Sequence, residues 1–126
     1  MTQVLVVDDD AAVLQTIVDA LESEGYAVVT ARNGALALER LRARRPDVVV
    51  LDLMMPVMDG WAFLPLCRVE PAGADVPVVV LSALERTPSS IAQADAFIAK
   101  PFELGDLLAT VERLAARGNG LFDGER

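Results

Sequence analysis

Apolar positions along this chain fall into two textures. Short unbroken runs occupy residues 4–7, 48–51 and 76–81, and longer stretches between them repeat an apolar residue every three or four positions. A run that is apolar at every position suits a strand covered on both faces. Residues 26–30 and 96–99 are weaker runs of the same kind. After the first run, Leu14, Ile17, Val18 and Leu21 share one helical face, with Asp10 suited to cap the start and Gly25 to stop the end. Asn33 suits the cap of the next helix, whose Ala37, Leu38 and Leu41 face inward before Pro46 ends it. The clearest stripe is the last: Leu104, Leu107, Leu108, Val111, Leu114 and Ala115. Strand and helix alternate five times. This predicts an α/β fold, a doubly wound parallel sheet of five strands with helices on both faces and right-handed crossovers.

Two helical segments break the rhythm. Pro65 falls inside the segment 61–69, where it removes a hydrogen bond unless it sits in the first turn, so local distortion is expected there. The segment 88–94 is very short for a helix. The basic stretch Arg40, Arg42, Arg44 and Arg45 reads as a solvated helix end, where cations also suit the dipole. A length of 126 residues suits one domain, expected over 1–117, with the glycine-rich 118–126 as a flexible tail or linker stump.

Composition narrows the function classes. Apolar residues make up 53% of the chain, enough for a real core. No apolar run reaches membrane-spanning length and no charged-then-apolar leader opens the chain, so a soluble, cytoplasmic protein is expected. A net charge of −8 argues against direct binding to nucleic acid or an anionic membrane. Cys67 is alone, which excludes a disulfide framework and leaves a small hydrophobe on a helix. There is no histidine, which excludes Ser-His-Asp and Cys-His catalysis and histidine metal sites. Carboxylates, lysine, hydroxyls and backbone remain.

In an open α/β sheet, ligands bind outside the carboxyl ends of the strands. Here the first strand ends in Asp8 and Asp9, with Asp10 next; the third ends in Asp52, the fourth in Ser82 and the fifth in Lys100. Consecutive aspartates at a buried strand end repel, and one is neutralised unless a cation sits among them. Magnesium prefers such a set: a few carboxylates with waters and a phosphate oxygen. The same residues read as phosphoryl-transfer machinery. A carboxylate can be the nucleophile, while a metal and a lysine neutralise the transferring group and a serine hydroxyl hydrogen-bonds it. Asp52, on a central strand, is the best nucleophile candidate; Asp8 and Asp9 then supply the metal site. Each residue alone has an ordinary role. An aspartate can cap a helix, Asp59 before Gly60 suits a turn, and Ser82, Lys100 and Pro101 are unremarkable singly. Their joint placement carries the reading.

The stretches VLVVDDD, VVVLDLMMPVMDG, VVVLSA and FIAKPF, in that order, resemble the signatures of the response-regulator receiver domain of bacterial two-component signalling. The resemblance runs from Val4 to about Arg117. It implies a flavodoxin-like, chemotaxis-regulator-like sheet of order 2-1-3-4-5. It implies that Asp52 accepts a phosphoryl group from the phosphohistidine of a sensor histidine kinase or a histidine phosphotransfer protein. It implies Mg²⁺ (or Mn²⁺) held by Asp9, Asp52 and the Met54 carbonyl, with Asp8 acting largely through water. Lys100 would pair with Asp52 and then with the phosphoryl group, Ser82 would move toward the phosphate, and Phe97 would turn inward behind it. Gly60 and Pro101 would be structural, and the Lys100–Pro101 bond cis. The resemblance implies a signalling switch that catalyses its own phosphorylation and dephosphorylation, a monomer or weak dimer with an unknown downstream protein partner. The stretch between Ser82 and Phe97 is a few residues shorter than is usual in the family, so the fourth helix is expected to be short or irregular, or a loop at 87–90.

Three rivals share parts of this pattern. A haloacid-dehalogenase-type phosphatase would use Asp8 as nucleophile and Asp10 as general acid. The chain is short for that fold, Ala12 stands where threonine or valine is usual, and Asp52 goes unexplained. A flavodoxin-like FMN carrier needs a Ser/Thr/Gly-rich loop after the first strand, where three aspartates would repel the phosphate. A pseudo-receiver, an interaction module that takes no phosphoryl group, conflicts with the complete acidic set and its Lys100 and Ser82.

Overall fold

In the computed structural model, residues 2–52, 60–82 and 94–120 are described. Met54, Asp59 and the shortened fourth helix expected within 83–93 lie outside them. The elements are β1 (Gln3–Val7), α1 (Ala11–Ser23), β2 (Ala27–Ala31), α2 (Gly34–Ala43), β3 (Val48–Asp52), α3 (Gly60–Val69), a 3₁₀ turn (Pro71–Gly73), β4 (Val78–Ser82), β5 (Ala96–Ala99) and α4 (Leu104–Gly120). All four strand pairings are parallel, in the order β2-β1-β3-β4-β5. This is the expected doubly wound sheet.

The unbroken apolar runs are explained by burial on both faces. Leu5, Val7, Val49, Leu51, Val78 and Val80 pack under α2 and α3, against Ala37, Leu38, Leu41, Phe63, Leu64 and Cys67. Their neighbours Val4, Val6, Val48, Val50, Val79 and Leu81 face the other way, against Ile17 and Leu21 of α1 and Leu107, Val111 and Leu114 of α4. Each such side chain is worth about 1.5–3 kcal/mol when fully buried. Cys67 is buried among apolar neighbours, in the small-hydrophobe role read from the sequence.

Helix boundaries follow the capping residues. The Asp10 carboxylate accepts from the Ala12 and Val13 N–H groups, and the Asn33 side chain accepts from Leu36 N–H. Gly25, at φ +92°, takes the left-handed turn after α1. Four details depart from the sequence pattern. β2 begins one residue late, because Tyr26 N–H donates to the Leu21 carbonyl at the end of α1. β4 begins at Val78, after Pro77, which has no N–H to donate. α3 remains helical through Pro65, whose exposed ring lies away from the core. Leu104, placed on the buried stripe, is instead 37% exposed in the first turn of α4. That helix runs to Gly120, so residues 118–120 are helical. Among the described residues, no helix is long and apolar enough to cross a membrane.

Candidate functional site

Parallel register brings four strand ends to one edge. Val7 lies opposite Leu51, Asp52 opposite Leu81 and Ser82 opposite Ala99. Asp8 therefore follows β1 directly beside Asp52, the last residue of β3, while Ser82 closes β4 and Lys100 follows β5. The backbone continues this alignment past the strands. Asp8 N–H donates to the Ala31 carbonyl at 3.1 Å, and Lys100 N–H donates to the Ser82 carbonyl at 2.7 Å.

Three carboxylates meet here. Asp8, Asp9 and Asp52 each offer an oxygen within 4.8 Å of the others. Asp8 and Asp52 are 2% and 4% exposed, and Asp9 is half-buried. Lys100 reaches in from β5, its Nζ 3.0 Å from Asp52 Oδ1. One carboxylate of the core pair is thus matched by an ammonium. Asp8 is matched less well. Its Oδ1 accepts from Asp10 N–H at 2.9 Å, but its Oδ2 is buried with no partner among the described residues. Burial pushes the Asp8 carboxyl above the ordinary carboxylate range, and the charges of Asp52 and Asp9 push the same way. The Asp10 N–H and, more weakly, Lys100 oppose them.

A buried carboxylate oxygen without a donor is costly, and two further carboxylates within reach add repulsion. A hard divalent cation relieves both costs at once, because it prefers several oxygen ligands and brings the missing positive charge. The donor set therefore fits such an ion. Without one, proton sharing on Asp8 is the remaining relief.

The other expected site residues fall as follows. Ser82 is buried at the end of β4. Phe97 is half-buried on β5 and packs against the core layer beneath α2 and α3. Pro101 follows Lys100 through a cis peptide bond, as the family resemblance implies. Gly60 is the first residue of α3, and the Met54 carbonyl lies outside the described residues. The phosphatase arrangement meets an obstacle: the Asp10 carboxylate, its general acid, is occupied in capping α1. Arg32, the residue that follows β2, stands at the same edge, and nothing in the local sequence marks it. Arg32 lines a surface hollow of about 430 Å³ together with Asp9, Asn33 and Leu36.

Known proteins carry the same architecture. Residues 4–112 match the family described as the response regulator receiver domain. Response regulators named MprA from Mycobacterium sp. (strain KMS) and Mycobacterium bovis (strain BCG / Pasteur 1173P2) are 42% identical over 120 residues, 91% of this chain. The chain spans about half the length of the curated relatives it matches, 51% for the first of these. Among solved structures, the Francisella response regulator 1452 receiver domain superposes with a TM-score of 0.85 at 33% identity, covering 93% of this chain and 98% of that one. The chemotaxis response regulator CheY4 of Vibrio cholerae gives 0.80 at 32% identity, covering 90% and 98%. The receiver domain of a sensor histidine kinase from Pseudomonas aeruginosa PAO1, which has a magnesium ion coordinated in its active site cleft, gives 0.84 at 28% identity, covering 91% and 98%. With its sheet order, its acidic strand ends and these likenesses, the chain belongs to the response regulator receiver domain family.

Proposed function

We propose that this domain is a phosphorylation-driven signalling switch, with Asp52 as the residue that takes the phosphoryl group. The observation that carries the reading is the pairing of Asp52 with Lys100 at 3.0 Å, beside two further carboxylates that have no ion pair among the described residues. In this reading an Asp52 oxygen attacks phosphorus, the bond from phosphorus to the donor's imidazole nitrogen breaks, neutral imidazole leaves from its protonated form, and Asp52 becomes an acyl phosphate. Lys100 passes from the carboxylate to the phosphoryl oxygens, neutralising charge as it develops. Asp8, Asp9 and Asp52, with the Met54 carbonyl, would hold Mg²⁺ or Mn²⁺; when bound, the ion supplies positive charge to the phosphoryl oxygens. The magnesium in the Pseudomonas neighbour supports that choice. Ser82 hydrogen-bonds the phosphoryl group, and Phe97 turns inward behind it, so that phosphoryl contacts bias a two-state equilibrium. Water later hydrolyses the acyl phosphate and resets the switch. The donor is a sensor histidine kinase or a histidine phosphotransfer protein in the cytoplasm, and the receiver acts as a monomer or weak dimer on a downstream protein.

Intact mass after incubation with acetyl phosphate tests this reading. The expected result is a single phosphoryl adduct that requires Mg²⁺, disappears in Asp52→Asn and decays on standing. No adduct in the parent, despite measurable Mg²⁺ binding, would leave an interaction module. Turnover that survives Asp52→Asn and dies in Asp8→Asn would make the chain a phosphatase.

A further inference from the structure

The acidic site poses an access problem. A phosphoryl donor carries negative charge, the chain is at −8, and three carboxylates crowd the strand ends it must reach. Lys100 is already engaged with Asp52. A second cation at the rim would relieve this, and one is in place. The bond from Asp8 N–H to the Ala31 carbonyl holds the end of β2 against the end of β1. Arg32, next along, shares a hollow of about 430 Å³ with Asp9. It is exposed, and its guanidinium has no hydrogen bond or ion pair among the described residues. Elsewhere on the surface, Arg42 pairs with Glu70 and Arg45 with Asp75. Arg32 shares its hollow with a carboxylate yet makes no ion pair with it.

We infer that Arg32 is a positioning residue that captures the dianionic phosphoryl group of the donor at the mouth of the site before transfer to Asp52. The inference rests on the phosphoryl-acceptor reading above. A guanidinium suits the task, because its planar fork of donors matches phosphate oxygens two at a time. It also offsets the charge of Asp9 toward an arriving anion. With acetyl phosphate the transfer is balanced: an Asp52 oxygen bonds phosphorus, the bond from phosphorus to the acetyl oxygen breaks, and acetate leaves with the electron pair. No proton changes hands. Arg32 acts on capture of the dianion and leaves the bond-making step unchanged.

The test is the rate of adduct formation against donor concentration at saturating Mg²⁺, for the parent, Arg32→Ala and Arg32→Lys. Acetyl phosphate and phosphoimidazole serve as donors, sharing a phosphoryl group and differing in leaving group. For Arg32→Ala, the half-saturating concentration should rise roughly two- to fivefold with both donors, as loss of one exposed charge contact implies. The maximal rate should be unchanged, and Arg32→Lys, which keeps the charge without the fork, should recover only part of the loss. The gap between parent and Arg32→Ala should narrow as salt is raised. An unchanged half-saturation in Arg32→Ala, with normal adduct formation, overturns the inference and leaves the acceptor reading standing. A fall in the maximal rate alone, or a loss with only one donor, overturns it too. No adduct in the parent overturns the acceptor reading itself and the inference with it.

Discussion

Asp47 and Asp95 stand just ahead of β3 and β5, at the end of the sheet where strands begin. Asp8 and Asp52 stand at the other end. The first pair is used twice in the same way. Asp47 N–H donates to the Gln3 carbonyl while its Oδ2 accepts from Gln3 N–H, both at 2.8 Å. Asp95 N–H donates to the Val78 carbonyl while its Oδ2 accepts from Val78 N–H, again both at 2.8 Å. Each aspartate completes the ladder by one more rung. Arg68 then joins Asp95 at 3.1 Å and also donates to the carbonyls of Gly73 and Val76, tying α3 and the turn after it to the start of the two edge-side strands. At the far end, among the described residues, the supply of donors runs short, and Asp8 Oδ2 is left without one. The comparison teaches that a carboxylate beside a sheet is neither structural nor chemical by type. The donors around it decide. Where they are complete the fold gains a clamp; where they are missing a buried oxygen is left that a proton or a cation could satisfy.

Three substitutions sharpen that contrast. Asp95→Ala has the largest expected effect. It strips the Val78 N–H of its acceptor and the Arg68 guanidinium of one of its acceptors in a partly buried setting, so urea unfolding should show a loss of about 2–3 kcal/mol. Asp8→Asn has the opposite sign. In chelator, an amide keeps the acceptor for Asp10 N–H and puts a donor where repulsion stood, so stability should rise by about 1–2 kcal/mol. Added Mg²⁺ should then stabilise the parent more than this variant. The Asp8→Asn gain should also depend on pH. The folded Asp8 carboxyl is held above its ordinary value of 3.8. Between the two values the folded state binds more protons than the unfolded, so the Asp8 contribution is fully present below 3.8 and is lost as pH rises through the folded value. The advantage of Asp8→Asn should therefore be smallest in acid and grow toward neutrality, measured by paired urea titrations in chelator. Asp47→Asn should matter least. Its amide oxygen still accepts from Gln3 N–H, and the loss should stay below about 1 kcal/mol. A loss for Asp47→Ala equal to that for Asp95→Ala would show that Arg68 adds nothing to the second clamp.

The doubly wound sheet was legible because its signal is local. A strand buried on both faces is apolar at every position, and Val4, Val6, Val48 and Val50 show this without reference to any partner. The acidic edge was legible for a topological reason: in a parallel α/β sheet, residues that close strands meet. Asp8, Asp52, Ser82 and Lys100 needed only that rule to be grouped. What stayed hidden depends on distant pairings. Asp47 and Asp95 carry no local signal, since the N–H groups that they accept from belong to Gln3 and Val78. Arg68 likewise gives no local signal, lying 27 residues from its partner. The orphaned oxygen of Asp8 could not be read either, because the sequence does not say which of two oxygens Asp10 N–H will serve. Leu104 matched the helical period but sits in the first turn of α4, ahead of the part that reaches the sheet.

The cation and the carboxylates of the site hang from strands of very different security. Asp8 and Asp52 extend β1 and β3, which are flanked on both sides and wholly buried. Lys100 extends β5, a four-residue edge strand laddered to β4 alone and only half covered. In amide hydrogen exchange this becomes a gradient. The β1 and β3 amides should exchange only through global unfolding, and those of β5 through shallow local opening. If so, the ammonium detaches and re-seats with β5 many times within one lifetime of the folded molecule, while the aspartates stay where they are.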